Sequence, residues 1–184
     1  MNRTIKHAIL AALAAATLSA LCSCASLNRT HGIPNFDRVA ADVFRGGQPT
    51  HEGWLYLQSL GVTNVVKLNR ESEGSDAEAE TLGMTVHRFP ISYQKQILGR
   101  VSSNTVWNAV QCITPHSFVH CEHGQDRTGL VVACDRMAMN TPKQVAEQEM
   151  LRHGFHKSLR GLWEFWEDRV PPSPAAGSNR GSGR

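Results

Sequence analysis

Cysteine and unbalanced charge are both scarce in this chain, and each shortage removes a class of protein. There are five cysteines in 184 residues. Two of them, Cys22 and Cys24, lie in the N-terminal segment, so the part with a folding pattern keeps Cys112, Cys121 and Cys134. An odd number argues against a disulfide framework. Cys112 and Cys134 stand in apolar helical surroundings and read as small buried hydrophobes, which leaves Cys121 to be explained. The apolar run Ala8 to Leu21 is too short to cross a bilayer comfortably. Between His31 and Pro172 there are 14 Lys and Arg against 16 Asp and Glu, a charge of −2, so the formal +3 of the whole chain comes from its ends. No basic face for nucleic acid is implied.

What is there falls into four parts. MNRTIKH is basic, the apolar run follows, and the pair reads as a secretion signal. Leu21-Cys22-Ser23-Cys24 resembles a bacterial lipobox, which would make Cys24 the lipidated first residue of an exported, periplasmic, membrane-anchored chain; ordinary cleavage after Ala25 is the alternative. Residues 25–32 read as a short linker. Residues 33–170 form one domain, since 41% hydrophobic and 19% charged residues suit a single compact core. Residues 171–184 (PPSPAAGSNRGSGR) hold no apolar periodicity and read as a disordered tail.

Within the domain, short β-branched or aromatic runs predict strands at 42–45, 62–68, 85–89 and 117–121. Helices fall between them. Thr50 caps one that ends at Gly61. Ser75-Asp76-Ala77-Glu78 has capping-box spacing and opens a short one. Others run over about 101–113, over 128–139 with apolar residues on nearly every side, from the Thr141-Pro142 cap to Gly154, and over 159–170. Alternating strands and helices predict an α/β fold with a largely parallel sheet of four to five strands. Ligands of such sheets bind where strands end and helices begin.

VHCEHGQDRTGLVV, residues 119–132, lies at such an end. A cysteine closes a strand, a tight loop follows, and a helix opens at its exit. Backbone N–H groups and the helix dipole in that arrangement make an anion cradle, with Gly124 and Gly129 allowing the tight curl. The field that attracts an anion also suits a cysteine acting as a thiolate. Arg127 returns across the loop with a planar fork matched to two phosphate oxygens, and Thr128 is placed to donate its hydroxyl to the sulfur.

His120-Cys121-Glu122-His123-Gly124-Gln125-Asp126-Arg127-Thr128-Gly129 resembles the signature of the cysteine-dependent protein tyrosine and dual-specificity phosphatases: His-Cys, five residues, then Arg. Asn35-Phe36-Asp37-Arg38-Val39, Phe44-Arg45-Gly46-Gly47-Gln48-Pro49, and Gly61-Val62 leading to Val65-Val66-Lys67-Leu68 are similar to the compact atypical dual-specificity enzymes. The resemblance spans about residues 33–170. It implies nucleophilic attack by Cys121, phosphate held by Arg127 and by Glu122, His123, Gly124, Gln125 and Thr128, and a phosphocysteine intermediate. It also implies His120 as a buried brace and no metal or other cofactor. The substrate would be a phosphorylated small molecule or phosphoprotein, met by a monomer.

The pattern departs from the family in one respect. Its general acid usually comes from a loop about thirty residues before the cysteine, and here Phe89-Pro90-Ile91-Ser92-Tyr93-Gln94-Lys95-Gln96 holds no carboxylate. Asp126, beside the loop Arg as in myotubularins, is the leading candidate, with bracing of the loop as its alternative. Glu71, Glu73 and Asp76 form the second candidate segment. A metal site from His120 and Cys121 is disfavoured, because neighbours on a strand face opposite sides. His153 and His156 at a helix end suit the dipole there or reach toward substrate. A Cys-loop sulfurtransferase shares the strand–loop–helix shape but not the Arg-Thr-Gly exit. A non-catalytic phosphate-binding lipoprotein is the non-enzyme reading, against which Cys121 and Arg127 count. Phosphotyrosine or general phosphomonoester hydrolysis stands first and inositol phosphate hydrolysis second. Lys67, Arg70, Lys95 and Arg100 either rim the mouth or form a solvated basic surface. Tyr93, Trp54 and Phe36 either stack on an aryl substrate or belong to the core.

Overall fold

The computed structural model describes residues 29–170; the expected signal segment, most of the linker and the expected tail lie outside them. At the start, β1 (Arg29–Thr30) pairs antiparallel with β2 (Ile33–Pro34). Residues 29–32 are therefore part of a hairpin rather than linker, and the His31 ring stacks on Tyr56 at 3.8 Å.

The main sheet contains β3 (Asp37–Ala40), β4 (Val43–Gly46), β5 (Asn64–Lys67), β6 (Thr85–Arg88) and β7 (Ser117–His120) in the order β3-β4-β7-β5-β6. Only β3 runs antiparallel to its neighbour. This is the α/β fold with a mostly parallel sheet that the sequence predicts. The strand without a prediction, β3, is an edge strand with three of its four residues exposed. One-sided pairing at a solvated edge requires no apolar alternation, and DRVA has none.

Period-two alternation splits the core into two layers. Val65 and Phe118 face one side, where Phe44, Trp54 and Leu57 meet them. Val66 and Val119 face the other, against Leu130, Val131, Phe165 and Trp166. The first layer is covered by α1 (His51–Ser59) and α2 (Ala77–Thr81). Thr50 caps α1 as expected, its hydroxyl accepting from the Gly53 N–H at 3.4 Å. The second is covered by α4 (Ser103–Gln111), α5 (Asp126–Ala138), α6 (Lys143–Arg152) and α7 (Arg160–Arg169). A six-residue helix without a prediction, α3 (Tyr93–Leu98), lies between β6 and α4 and buries Gln96. Its sequence YQKQIL is too short and polar for helical periodicity to show.

Helix α5 is buried from Arg127 to Asp135, as its apolar circumference requires. It leaves room for α6 at Gly129, where an added Cβ would stand 3.1 Å from Met150 Cγ. Gly129 thus serves helix packing rather than the curl of the preceding loop. The Cys112 and Cys134 thiols are free. Burial pushes the Cys134 thiol far up, so it behaves as the expected core hydrophobe.

Candidate active site

β7 lies in the middle of the sheet, and its last residues settle which groups face which side. His120 has the parity of Phe118, and its ring stacks on Phe118 at 5.3 Å and stands edge-on to Trp54 at 5.8 Å. Cys121 has the parity of Val119 and joins the layer built around α5. The two side chains therefore diverge, as the argument against a shared metal requires.

The loop after Cys121 is held from behind. Gly124 sits at φ +74°, and a Cβ there would fall 2.4 Å from the Gly46 carbonyl carbon, so glycine is obligatory on two counts. Its carbonyl accepts from Arg45 Nη2 at 2.8 Å and from Asn35 Nδ2 at 2.9 Å. The Glu122 carbonyl accepts from the Gln48 N–H at 3.0 Å. A trans peptide directs its N–H opposite to its C=O, so pinning these carbonyls to β4, to the β2–β3 turn and to the β4–α1 connection turns the N–H groups of His123 and Gln125 away from that side. Such an orientation is what an anion cradle requires. Burial draws the Arg45 guanidinium down to about 10 against the opposing pull of Cys121 and nearby carboxylates. Its Nε is buried without a partner among the described residues. Thr128 is fully buried and donates to the Gly46 carbonyl at 3.4 Å, so it ties the loop to β4 instead of serving the sulfur as expected.

His120 links the start of the loop to Asp76, which the sequence suggests as a helix cap. Its Nε2 donates to Asp76 Oδ2 at 2.8 Å, and Nδ1 lies 3.4 Å from the Cys121 carbonyl. Asp76 Oδ1 accepts from Lys67 Nζ at 3.1 Å and Gln48 Nε2 at 2.9 Å. Burial works against the Asp76 charge, yet His120, Gln48 and Lys67 hold its carboxyl down to about 2. Asp76 occupies the N-cap position of α2 but makes no side-chain cap bond; Ser75 Oγ accepts from Ala77 N–H instead, at 3.3 Å. Lys67 is 1% exposed and also donates to the Gly74 carbonyl, which removes it from the basic rim considered above.

Arg127 is 5% exposed. Its Nη1 donates to Glu73 Oε2 at 2.7 Å and lies 3.3 Å from the Ile91 carbonyl, while Nη2 is 3.6 Å from Glu122 Oε2. Glu73 ends a 3-10 turn, Glu71–Glu73, that follows β5. Among the loop side chains, Glu122 and His123 are exposed (41% and 70%) and stand 3.9 Å apart, while Gln125 packs against Gly154. Asp126 points away from this cluster: its Oδ1 accepts from the His156 N–H at 2.7 Å and faces His156 Nδ1 at 3.1 Å. These contacts correct the expectation of a proton donor toward the bracing alternative, because the first residue of α5 turns its side chain to the α6–α7 connection. His153 is likewise engaged, with Asp37 at 3.2 Å. Trp54 is core, Phe36 packs on Phe44, and Tyr93 is 64% exposed.

Arg45, Asn35 and Gln48 were visible only as members of a familiar stretch without a role. The signal that could have marked them is an arginine and an asparagine in otherwise small or apolar turns, where each needs an acceptor once buried.

The chain has counterparts among known proteins. Residues 33–165 match the sequence profile of the tyrosine phosphatase family. The inositol diphosphatase DSP2 of Oryza sativa subsp. japonica is 31% identical over 108 residues, covering 55% of this chain and 53% of that protein. The "Probable tyrosine-protein phosphatase DG1060" of Dictyostelium discoideum is 31% identical over 121 residues, 58% of this chain and 69% of that one. The chain thus spans about half the length of the plant relatives it matches, 53% and 54%. Among solved structures, the catalytic core of the S. cerevisiae PP-IP phosphatase SIW14 superposes with a TM-score of 0.62 at 23% identity, covering 74% of this chain and 86% of that one. A P. aeruginosa TpbA variant in complex with phosphotyrosine superposes with a TM-score of 0.60 at 23% identity, covering 73% and 83%. At these identities the likeness of the solved structures is one of fold. The profile match extends over more than half of the chain, from the second strand of the hairpin to the last helix, and by it the chain belongs to the tyrosine phosphatase family.

Proposed function

We propose that the protein is a phosphomonoester hydrolase that works through a phosphocysteine. The observation that carries this reading is the loop itself: Cys121 at one end, the buried Arg127 fork at the other, and the carbonyls between them drawn to one side so that N–H groups turn from it. Cys121 Sγ attacks phosphorus in line with the ester oxygen, while the loop N–H groups and Arg127 stabilise the charge on the equatorial oxygens. The ester bond breaks, the alcohol leaves with a proton, and water then attacks the phosphocysteine to release inorganic phosphate and the thiolate. His120, Asp76 and Lys67 hold the loop, and none of these steps calls on a metal.

For substrate we place aryl phosphates such as phosphotyrosine first. Tyr93 is exposed two residues beyond Ile91, whose carbonyl touches Arg127, so the segment that borders the fork offers an aromatic side chain to an aryl substrate. Inositol phosphates come second. The similarity to plant inositol diphosphatases and to the yeast PP-IP phosphatase favours them, while Glu73 and Glu122 at Arg127 and the internal pairing of Lys67 weigh against a highly charged ring. Phosphate release should be measured across aryl, peptide, lipid and inositol phosphates with Cys121→Ser as the blank. Activity retained by Cys121→Ser would sink the reading and leave a phosphate-binding protein or another nucleophile. The basic-then-apolar start and Leu21-Cys22-Ser23-Cys24 support an exported chain anchored by lipid at Cys24. Cys24→Ala should abolish lipid labelling and release the chain from membranes, and unchanged labelling would refute the anchor.

A further inference from the structure

The first chemical step needs a proton for the departing oxygen, and residues 89–96 hold no carboxylate. Asp126 is engaged by His156. The carboxylate at hydrogen-bond distance from the phosphate fork is Glu73, 2.7 Å from Arg127 Nη1. Its Oε2 also accepts the Arg70 N–H at 2.8 Å, which folds the turn back and aims the carboxylate at α5. The turn is anchored beside it, since Glu71 pairs with Lys67 at 3.2 Å and with Arg88 at 3.1 Å.

A phosphoryl oxygen bound to Arg127 Nη1 would sit at about 2.8 Å from it, which is the place Glu73 Oε2 now holds. Nη1 also faces the Ile91 carbonyl, so a substrate oxygen taken up at this nitrogen competes directly with Glu73 for it. With its turn anchored, the carboxyl moves only as far as its own side chain allows and stays close to the ester. Its surroundings change sign in the process. Without substrate, burial works against the Glu73 charge, but the Arg70 N–H and Arg127 hold its carboxyl below the ordinary range. With substrate, Arg127 serves the phosphoryl group and the new neighbour is an anion, so both changes favour the neutral acid. The remaining charged groups around it are Arg70 on its own turn and Glu122, 3.6 Å from the far side of the same guanidinium.

We propose that Glu73 is the proton donor of the first step, and that substrate makes it one by taking its place on Arg127. This rests on the phosphocysteine reading above. Glu73 takes up one proton, from solvent or from an ester that binds as its monoanion. As Cys121 Sγ bonds to phosphorus, the electron pair of the breaking P–O bond stays on the leaving oxygen, which receives the Glu73 proton. Water then attacks phosphorus, its proton passing by way of the phosphoryl oxygens to solvent, and the S–P electron pair returns to sulfur. Inorganic phosphate leaves and Glu73 closes on Arg127 again.

Glu73→Gln tests this, because the amide keeps the shape and an acceptor for Arg127 while losing the acid. The expected result is a fall in kcat for alkyl phosphates by about a hundredfold or more, little change for p-nitrophenyl phosphate, and tighter inhibition by inorganic phosphate and vanadate. Equal slowing of both ester classes, or an unchanged rate on alkyl esters, overturns the proposal. Asp126→Asn run alongside should slow both classes alike; an alkyl-selective loss there overturns it too. As a readout separate from turnover, titration of Cys121→Ser with inorganic phosphate in buffers of different ionisation heat should show about one more proton taken up than in Cys121→Ser/Glu73→Gln. Equal uptake refutes the exchange. Failure of Glu73→Gln leaves the phosphocysteine reading standing, whereas turnover by Cys121→Ser removes it.

Discussion

Replacing Asp76 by Asn should cost this protein more stability than a single surface carboxylate could, and the structure sets the size. Asp76 is fully buried among Lys67, Gln48 and His120. A carboxyl held at about 2 against an ordinary 3.8 corresponds to about 2 kcal/mol of folding free energy at neutral pH. The variant also leaves Lys67, 1% exposed, with the Gly74 carbonyl and the half-exposed Glu71 in place of a buried anion, and removing one partner of a buried pair costs about 3–5 kcal/mol. These two figures overlap in what they count, so the expected loss is about 3 kcal/mol in urea unfolding at pH 7. The carboxyl is lowered on folding, so its contribution is present above pH 4 and is lost as pH falls toward 2. Wild type and Asp76→Asn should converge over that window. Adding Lys67→Met should restore part of the loss by removing the stranded cation. A loss below about 1 kcal/mol at pH 7, or a gap that does not narrow in acid, would refute the account of Asp76 as the loop's buried anchor.

Gly124→Ala should fold with a displaced loop, since a Cβ at φ +74° and 2.4 Å from the Gly46 carbonyl carbon adds strain of about 1–3 kcal/mol where phosphate binds; unchanged KM for p-nitrophenyl phosphate would contradict it. Arg45→Met leaves the Gly124 carbonyl with Asn35 as its remaining side-chain donor and should weaken phosphate inhibition while costing about 1–3 kcal/mol, read by competition and by urea unfolding. Tyr93→Ala should raise KM for phosphotyrosine peptides and leave small alkyl phosphates unaffected; equal effects would remove Tyr93 from substrate recognition. The thiol of Cys134, pushed up by burial, should resist alkylation in the native state, and rapid labelling at neutral pH would show that α5 opens.

The parallel sheet and the strand–loop–helix around Cys121 were legible because short apolar strands and a helix buried on every side leave a local pattern. The edge strand β3 and the helix α3 were not, since neither buries a continuous apolar face. Around the site, Asp76 looked like a helix cap and Lys67 like a rim cation. Capping and ion-pair chemistry use the same residue types, and only a neighbour 44 positions away, His120, distinguishes them.

The amino-acid sequence by itself determined the proposed nucleophile, its arginine fork and the loop between them, because ten consecutive residues carry them and their spacing is set by the covalent chain. Partnerships among the supporting groups were decided by the tertiary structure alone. The order β4-β7-β5 brings the turns after β4 and β5 to either side of the Cys121 loop. Arg45 and Gln48 thereby reach the loop carbonyl groups, Asp76 reaches His120, and Glu73 reaches Arg127. Such contacts depend on strand order and register, and residues separated by tens of positions hold no local trace of them.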